Sequence, residues 1–101
     1  MPRIQRKDAE RLLASVPEEQ VFQCCDGRVL RNLKELMKAF HDMADDAFAY
    51  HSNEERNDFS NWVRFTIGDQ KLAGDLEKSY DRGQAAKRVA DRIDFLSGKL
   101  A

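Results

Sequence analysis

No long apolar run, no block of like charge and no glycine-rich loop occurs in these 101 residues. The longest stretch without a formal charge, "AFAYHSN", falls far short of the roughly 20 apolar residues that span a bilayer. The opening "MPRIQRKDAE" is charged and lacks the apolar segment of a cleaved signal peptide. No Asn begins an Asn-x-Ser/Thr sequon. These absences predict a cytoplasmic protein with no membrane partner.

Cysteine is scarce, and the two that occur are neighbours, Cys24 and Cys25. Adjacent residues of an extended strand point to opposite faces, so a bridge between them would be strained. Two cysteines also make no secreted disulfide framework, and the expectation is a pair of reduced, partly buried thiols. Metal-site spacing is missing too. Cys24, Cys25, His41 and His51 show neither Cys-x2-Cys nor His-x3-His. Asp45, Asp46 and Glu54 do not match an EF-hand loop. The sequence therefore predicts no metal and no cofactor. The glycines at 27, 68, 74, 83 and 98 are scattered, which removes the Walker and Rossmann fingerprints.

Excess charge of either sign is lacking as well. The formal net charge is -1, with both signs interspersed, so no global field draws in nucleic acid. The stretch "FSNWVRFTIGDQKLAGDLEKS" has the outline of a helix-turn-helix. Its second half sets Asp69, Asp75 and Glu77 against Lys71 and Lys78, the wrong balance for a phosphate backbone. The mixed run "AAKRVADR" reads as a solvated helix face with pairs three or four residues apart.

What is present is the patterning of one helical domain. Apolar residues make up 42% and charged ones 35%, a balance that folds. A chain of this length buries about 65% of its unfolded surface around one core. Ala9, Leu12, Leu13 and Val16 predict a helix over about 4–16, closed by Pro17. "QVFQCC", then Asp26-Gly27, then "RVL" predict a small hairpin, Val21 to Cys25 against Arg28 to Leu30. Asn32 and Glu35 predict a capping box before a helix whose stripe is Leu33, Leu36, Met37, Phe40 and Ala44. A short helix from Asp45 or Asp46 carries Phe48 and reaches His51. Asn57 or Asp58 caps the next, with Phe59, Trp62, Val63, Thr66 and Ile67 at helical spacing. Gly68 stops it and Asp69 caps a helix over about 70–79 with Leu72, Ala73, Leu76 and Tyr80 inward. A last helix, about 82–98, turns Ala86, Val89, Ile93, Leu96 and Leu100 to the core. The fold class is mainly α (α+β): a single-domain bundle of about five helices over residues 1–101, with one hairpin near 21–30.

The segment from "DGRVLRNLKEL" to "GDQKLAGDLE" resembles a small domain of archaea and bacteria to which no function is assigned. The shared positions are Asp26-Gly27, Phe48 with Tyr50-His51, Arg56-Asn57-Asp58-Phe59 with Trp62, and Gly68-Asp69 with Leu72-Ala73. The resemblance covers about residues 20–78 and omits the first helix. It implies a stand-alone or appended prokaryotic helical module, with no chemistry to carry over.

The stretch "YHSNEERNDFSNWV" concentrates the functional candidates. Trp62 is expected as a core anchor, Asn57 and Asp58 as caps, and Ser52 with Glu55 as a second capping box. His51 and Asp58 suit opposite helix ends, imidazole at the carbonyl end and carboxylate at the amide end. The binding surface predicted here comprises Tyr50, His51, Asn53, Arg56, Asn57, Asp58 and Trp62, with Asn61 beside them. Tyr50 and Trp62 would give anchoring area, His51 and Arg56 polar contacts. Such a surface suits a partner protein segment, with an anionic group at the helix end. The apolar face of the first helix would serve either the core or a second copy of the chain. The predicted function is a non-catalytic interaction or regulatory module. The alternative is a small-ligand binder or enzyme using His51 as base and Asp58 as its orienting carboxylate.

Overall fold

A computed structural model describes residues 4–101. Among these, six α-helices and one two-stranded antiparallel sheet enclose one core. The order is α1 (Arg6–Leu13), β1 (Phe22–Gln23), β2 (Val29–Leu30), α2 (Leu33–Asp42), α3 (Asp45–His51), α4 (Asp58–Trp62), α5 (Gln70–Glu77) and α6 (Arg82–Gly98). A 3-10 turn covers Glu18–Gln20, and a wide π turn over Val63–Ile67 extends α4. The mainly α class with one hairpin is as the sequence predicts.

α1 is shorter than its pattern. It stops at Leu13, because the Val16 N–H donates to the Arg31 carbonyl at 2.9 Å and draws the chain away before Pro17 is reached. The hairpin pairs Phe22 with Leu30 and Gln23 with Val29. Its turn is one residue wider than an Asp-Gly pair alone requires. Cys24 donates to the Arg28 carbonyl, Gly27 donates back to the Cys24 carbonyl, and Gly27 takes φ +94°. A turn followed by a left-handed glycine is the common three-residue hairpin loop.

α2 begins as expected, with the Asn32 side chain accepting from the Glu35 N–H at 2.9 Å. The reciprocal arm differs: the Glu35 carboxylate accepts from the Arg31 N–H at 2.8 Å, one residue short of the capping-box position. Ala44 is exposed, because the helix has already ended and Met43 takes the inward place.

The centre of the core is aromatic. Phe59 lies within 4.9–5.8 Å, ring centre to ring centre, of Phe40, Phe22, His51 and Phe48. α2 and α6 form the most extensive helix pair, built on Leu33, Leu36, Phe40, Val89, Ile93 and Leu96. Trp62 is buried and its indole N–H donates to the Gln20 carbonyl at 2.9 Å. That bond satisfies the one polar atom of a ring otherwise held among Phe22 and its neighbours.

Gly68 closes the π turn at φ +91°, as a left-handed stop. The Val63 carbonyl accepts from both Gly68 and Asp69. α5 ends at Glu77, so Tyr80 escapes the helical period and stands 91% exposed rather than inward. Its N–H donates to the Gln84 side chain at 2.7 Å. Arg92 also departs from the expected solvated face. It turns inward and donates through Nε and Nη2 to the carboxylate of Asp69, itself 1% exposed. Lys87 and Asp91 do make the surface pair four residues apart.

Candidate functional site

The joint between α3 and α4 is a closed turn, not a free loop. Asn53 organises it: its side-chain oxygen accepts from the N–H groups of Glu55 and Arg56, and its amide donates to the Ala49 and Tyr50 carbonyls. Ser52 and Asn57 face each other as an isolated antiparallel bridge, and the Asn53 N–H donates to the Arg56 carbonyl. The expected Ser52–Glu55 capping box is therefore replaced by Asn53, whose shorter side chain reaches both amides of its own turn.

Asn57, not Asp58, is the cap of α4. Its oxygen accepts from the Ser60 N–H at 2.9 Å, and its amide donates to the Leu76 carbonyl at 3.3 Å. The second bond ties the joint to the end of α5. Ser60 completes the tie, with its hydroxyl donating to the Ala73 carbonyl at 2.8 Å.

His51 and Asp58 do meet. The ring is 6% exposed, and Nδ1 lies 2.9 Å from Asp58 Oδ2. The other nitrogen, Nε2, accepts from the Cys25 backbone N–H at 3.0 Å. An atom that accepts an N–H carries no proton, so the ring proton sits on Nδ1 and is donated to Asp58. Arg56 reaches the same carboxylate oxygen at 3.3 Å, lies over the Tyr50 ring at 4.9 Å and donates to the Tyr50 carbonyl. His51 thus fastens the hairpin turn to the start of α4, in a ring slot made by Phe22, Phe59 and Tyr50. Both of its nitrogens are engaged. A general base needs a lone pair facing substrate, which this one lacks.

The seven nominated residues divide. Trp62 and His51 face the core, and Asp58 is half-buried between His51 and Arg56. Tyr50, Asn53, Arg56 and Asn57 remain at or near the surface. Asn53, Arg56, Asn57 and Asn61 line a cleft of about 810 Å³ between the joint and the end of α5. Glu54, Glu55, Glu77 and Tyr80 also line it, and sequence reasoning missed them as site residues. Glu77 and Tyr80 lie some twenty residues further on, and the ties from Asn57 and Ser60 to α5 bring them alongside.

The cleft sets the carboxylates of Glu54, Glu55 and Glu77 beside the guanidinium of Arg56. Among the described residues Glu54 and Glu55 make no ion pair, and Asp58 sits on the first turn of α4. Glu77 accepts from Arg64 at 2.7 Å, and that bond holds its carboxyl below the usual range.

On the far side of His51 the hairpin turn gathers other donors. The sulfurs of Cys24 and Cys25 and a ring nitrogen of His51 lie within 4.8 Å of one another. Sequence spacing did not suggest this trio, because spacing rules detect ligands paired along the chain and not a hairpin turn laid on a distant helix end. Burial pushes the Cys24 thiol above its ordinary range, while Cys25 stands at the surface.

In comparison with known proteins, the chain matches no family model, no curated protein and no solved structure. No helix among the described residues is long and apolar enough to cross a membrane.

Proposed function

We propose that the protein is a cytoplasmic interaction module without catalytic chemistry, and that it holds a basic partner segment in the cleft between the α3–α4 joint and the end of α5. The observation that carries this is the lining of the cleft: two carboxylates without ion partners, Glu54 and Glu55, beside a nearly bare Tyr80 ring. Lysine or arginine side chains complement those carboxylates, and an arginine can also stack on the phenol. The amides of Asn53 and Asn61 add donors and acceptors for a backbone. The joint is braced by its own hydrogen bonds, which lowers the ordering cost of binding. The resemblance of residues 20–78 to an appended helical module fits such a role and is part of the same proposal.

The rival, acid–base chemistry by His51 with Asp58, draws on their contact but is opposed by the sealed ring and its occupied lone pair.

The test is an amide-resolved NMR titration with a lysine- and arginine-rich peptide and a matched acidic one. The basic peptide should shift residues 52–57 and 77–80, more weakly as salt is raised, and the acidic one should not. Glu54→Lys with Glu55→Lys should remove the response. Equal shifts from both peptides, or shifts elsewhere on the surface, would overturn the proposal.

A further inference from the structure

We infer that Cys24, Cys25 and His51 form a zinc(II) site at the hairpin turn. Two thiolate sulfurs and an imidazole nitrogen are a preferred donor set for this ion, and here they come within 4.8 Å of one another. With zinc–sulfur bonds of about 2.3 Å and zinc–nitrogen bonds of about 2.0 Å, ligand atoms of a tetrahedral site stand roughly 3.5–3.8 Å apart, so closing the site moves them by no more than about 1.3 Å. Both cysteines are free.

His51 is oriented for ligation once the Cys25 amide is displaced from it. Its Nδ1 proton is committed to Asp58 at 2.9 Å, which leaves the Nε2 lone pair directed at the Cys24–Gly27 turn. A carboxylate behind a histidine fixes the tautomer and raises the basicity of the metal-binding nitrogen. Arg56, 3.3 Å from the same oxygen, steadies that carboxylate. Nε2 now accepts from the Cys25 N–H, and the ion would take the place of that amide.

Binding balances as one zinc(II) plus two thiols and a neutral imidazole giving a neutral complex and two released protons. A neutral product suits a site in which Cys24 and His51 are buried. With three protein ligands, the fourth position is left to water on the Cys25 side. Because two protons leave on binding, affinity rises with pH. The bound ion would pin the hairpin turn to the α3 end, on the opposite side of His51 from Asp58.

The reduced full-length chain is titrated with cobalt(II), then with zinc(II) in competition. The expected result is a thiolate-to-cobalt charge-transfer band saturating at one ion per chain and bleached by zinc. Cys25→Ser, at an exposed position, should keep the fold and lose the band together with the rise in Tm that zinc gives the parent chain. Asp58→Asn should weaken zinc by about 10- to 100-fold, as loss of a supporting carboxylate does. Absence of a saturable band in the parent chain, or one unchanged by Cys25→Ser, would overturn the assignment.

Discussion

Two helix junctions in this chain start from the same local device and end in opposite conditions. At Asn57 and at Asp69 a polar side chain caps the following helix by accepting from the N–H three residues on. Asp69 is then sealed by Arg92 arriving from α6, and its carboxylate is withdrawn from solvent. Asn57 receives no long side chain from α6. Its amide fastens only to the Leu76 carbonyl, and the space beside it remains a cleft. A cap decides where a helix begins; a partner distant in sequence decides whether that beginning is packed or presented.

The sharpest way to break this contrast is Asp69→Ala. It strands the guanidinium of Arg92 in the core and should cost about 3–5 kcal/mol in urea unfolding. Arg92→Met on that background should recover part of the loss, since a pair replaced by apolar groups is better tolerated than a pair cut in half. At the other junction His51→Leu removes the partner of the Cys25 amide and of Asp58, and about 1–3 kcal/mol is expected by the same measurement. Asn57→Ala should cost about 1 kcal/mol, the ordinary worth of a cap. A loss as large as that of Asp69→Ala would show the joint to be as integral as the sealed junction. Tyr80→Ser should leave stability within about 0.5 kcal/mol, because the ring touches so little.

The smallest effect concerns protons. The Arg64 bond holds the Glu77 carboxyl below its ordinary value, so Glu77 contributes stability above its unfolded pKa and loses it as pH falls through the lower folded one. The pair is substantially exposed and salt weakens it. Arg64→Met should move the Glu77 titration upward in a carbon-detected NMR experiment, leaving the cleft otherwise intact.

The helices were legible because apolar residues recur at the helical period from Leu33 to Phe40 and from Ala86 to Leu96. The caps at Asn32, Asn57 and Asp69 sit where a short polar side chain can fold back on its own helix. What escaped was whatever depended on a second segment. Tyr80 fits the stripe of α5 in spacing, yet the helix ends three residues before it. Arg92 sits in a mixed-charge run like any surface arginine, and only α5 packed against α6 supplies its carboxylate. The meeting of His51 and Asp58 could be foreseen across seven residues. The Cys25 amide that occupies the other nitrogen comes from a hairpin 26 residues away.

Trp62 gives the molecule an internal reporter. It is the only tryptophan in the chain, with its indole proton on the Gln20 carbonyl and its ring set edge-to-face with Phe22. Any event that lifts the segment before the hairpin off α4 must hydrate that indole, so its emission would redden before the helices themselves begin to melt.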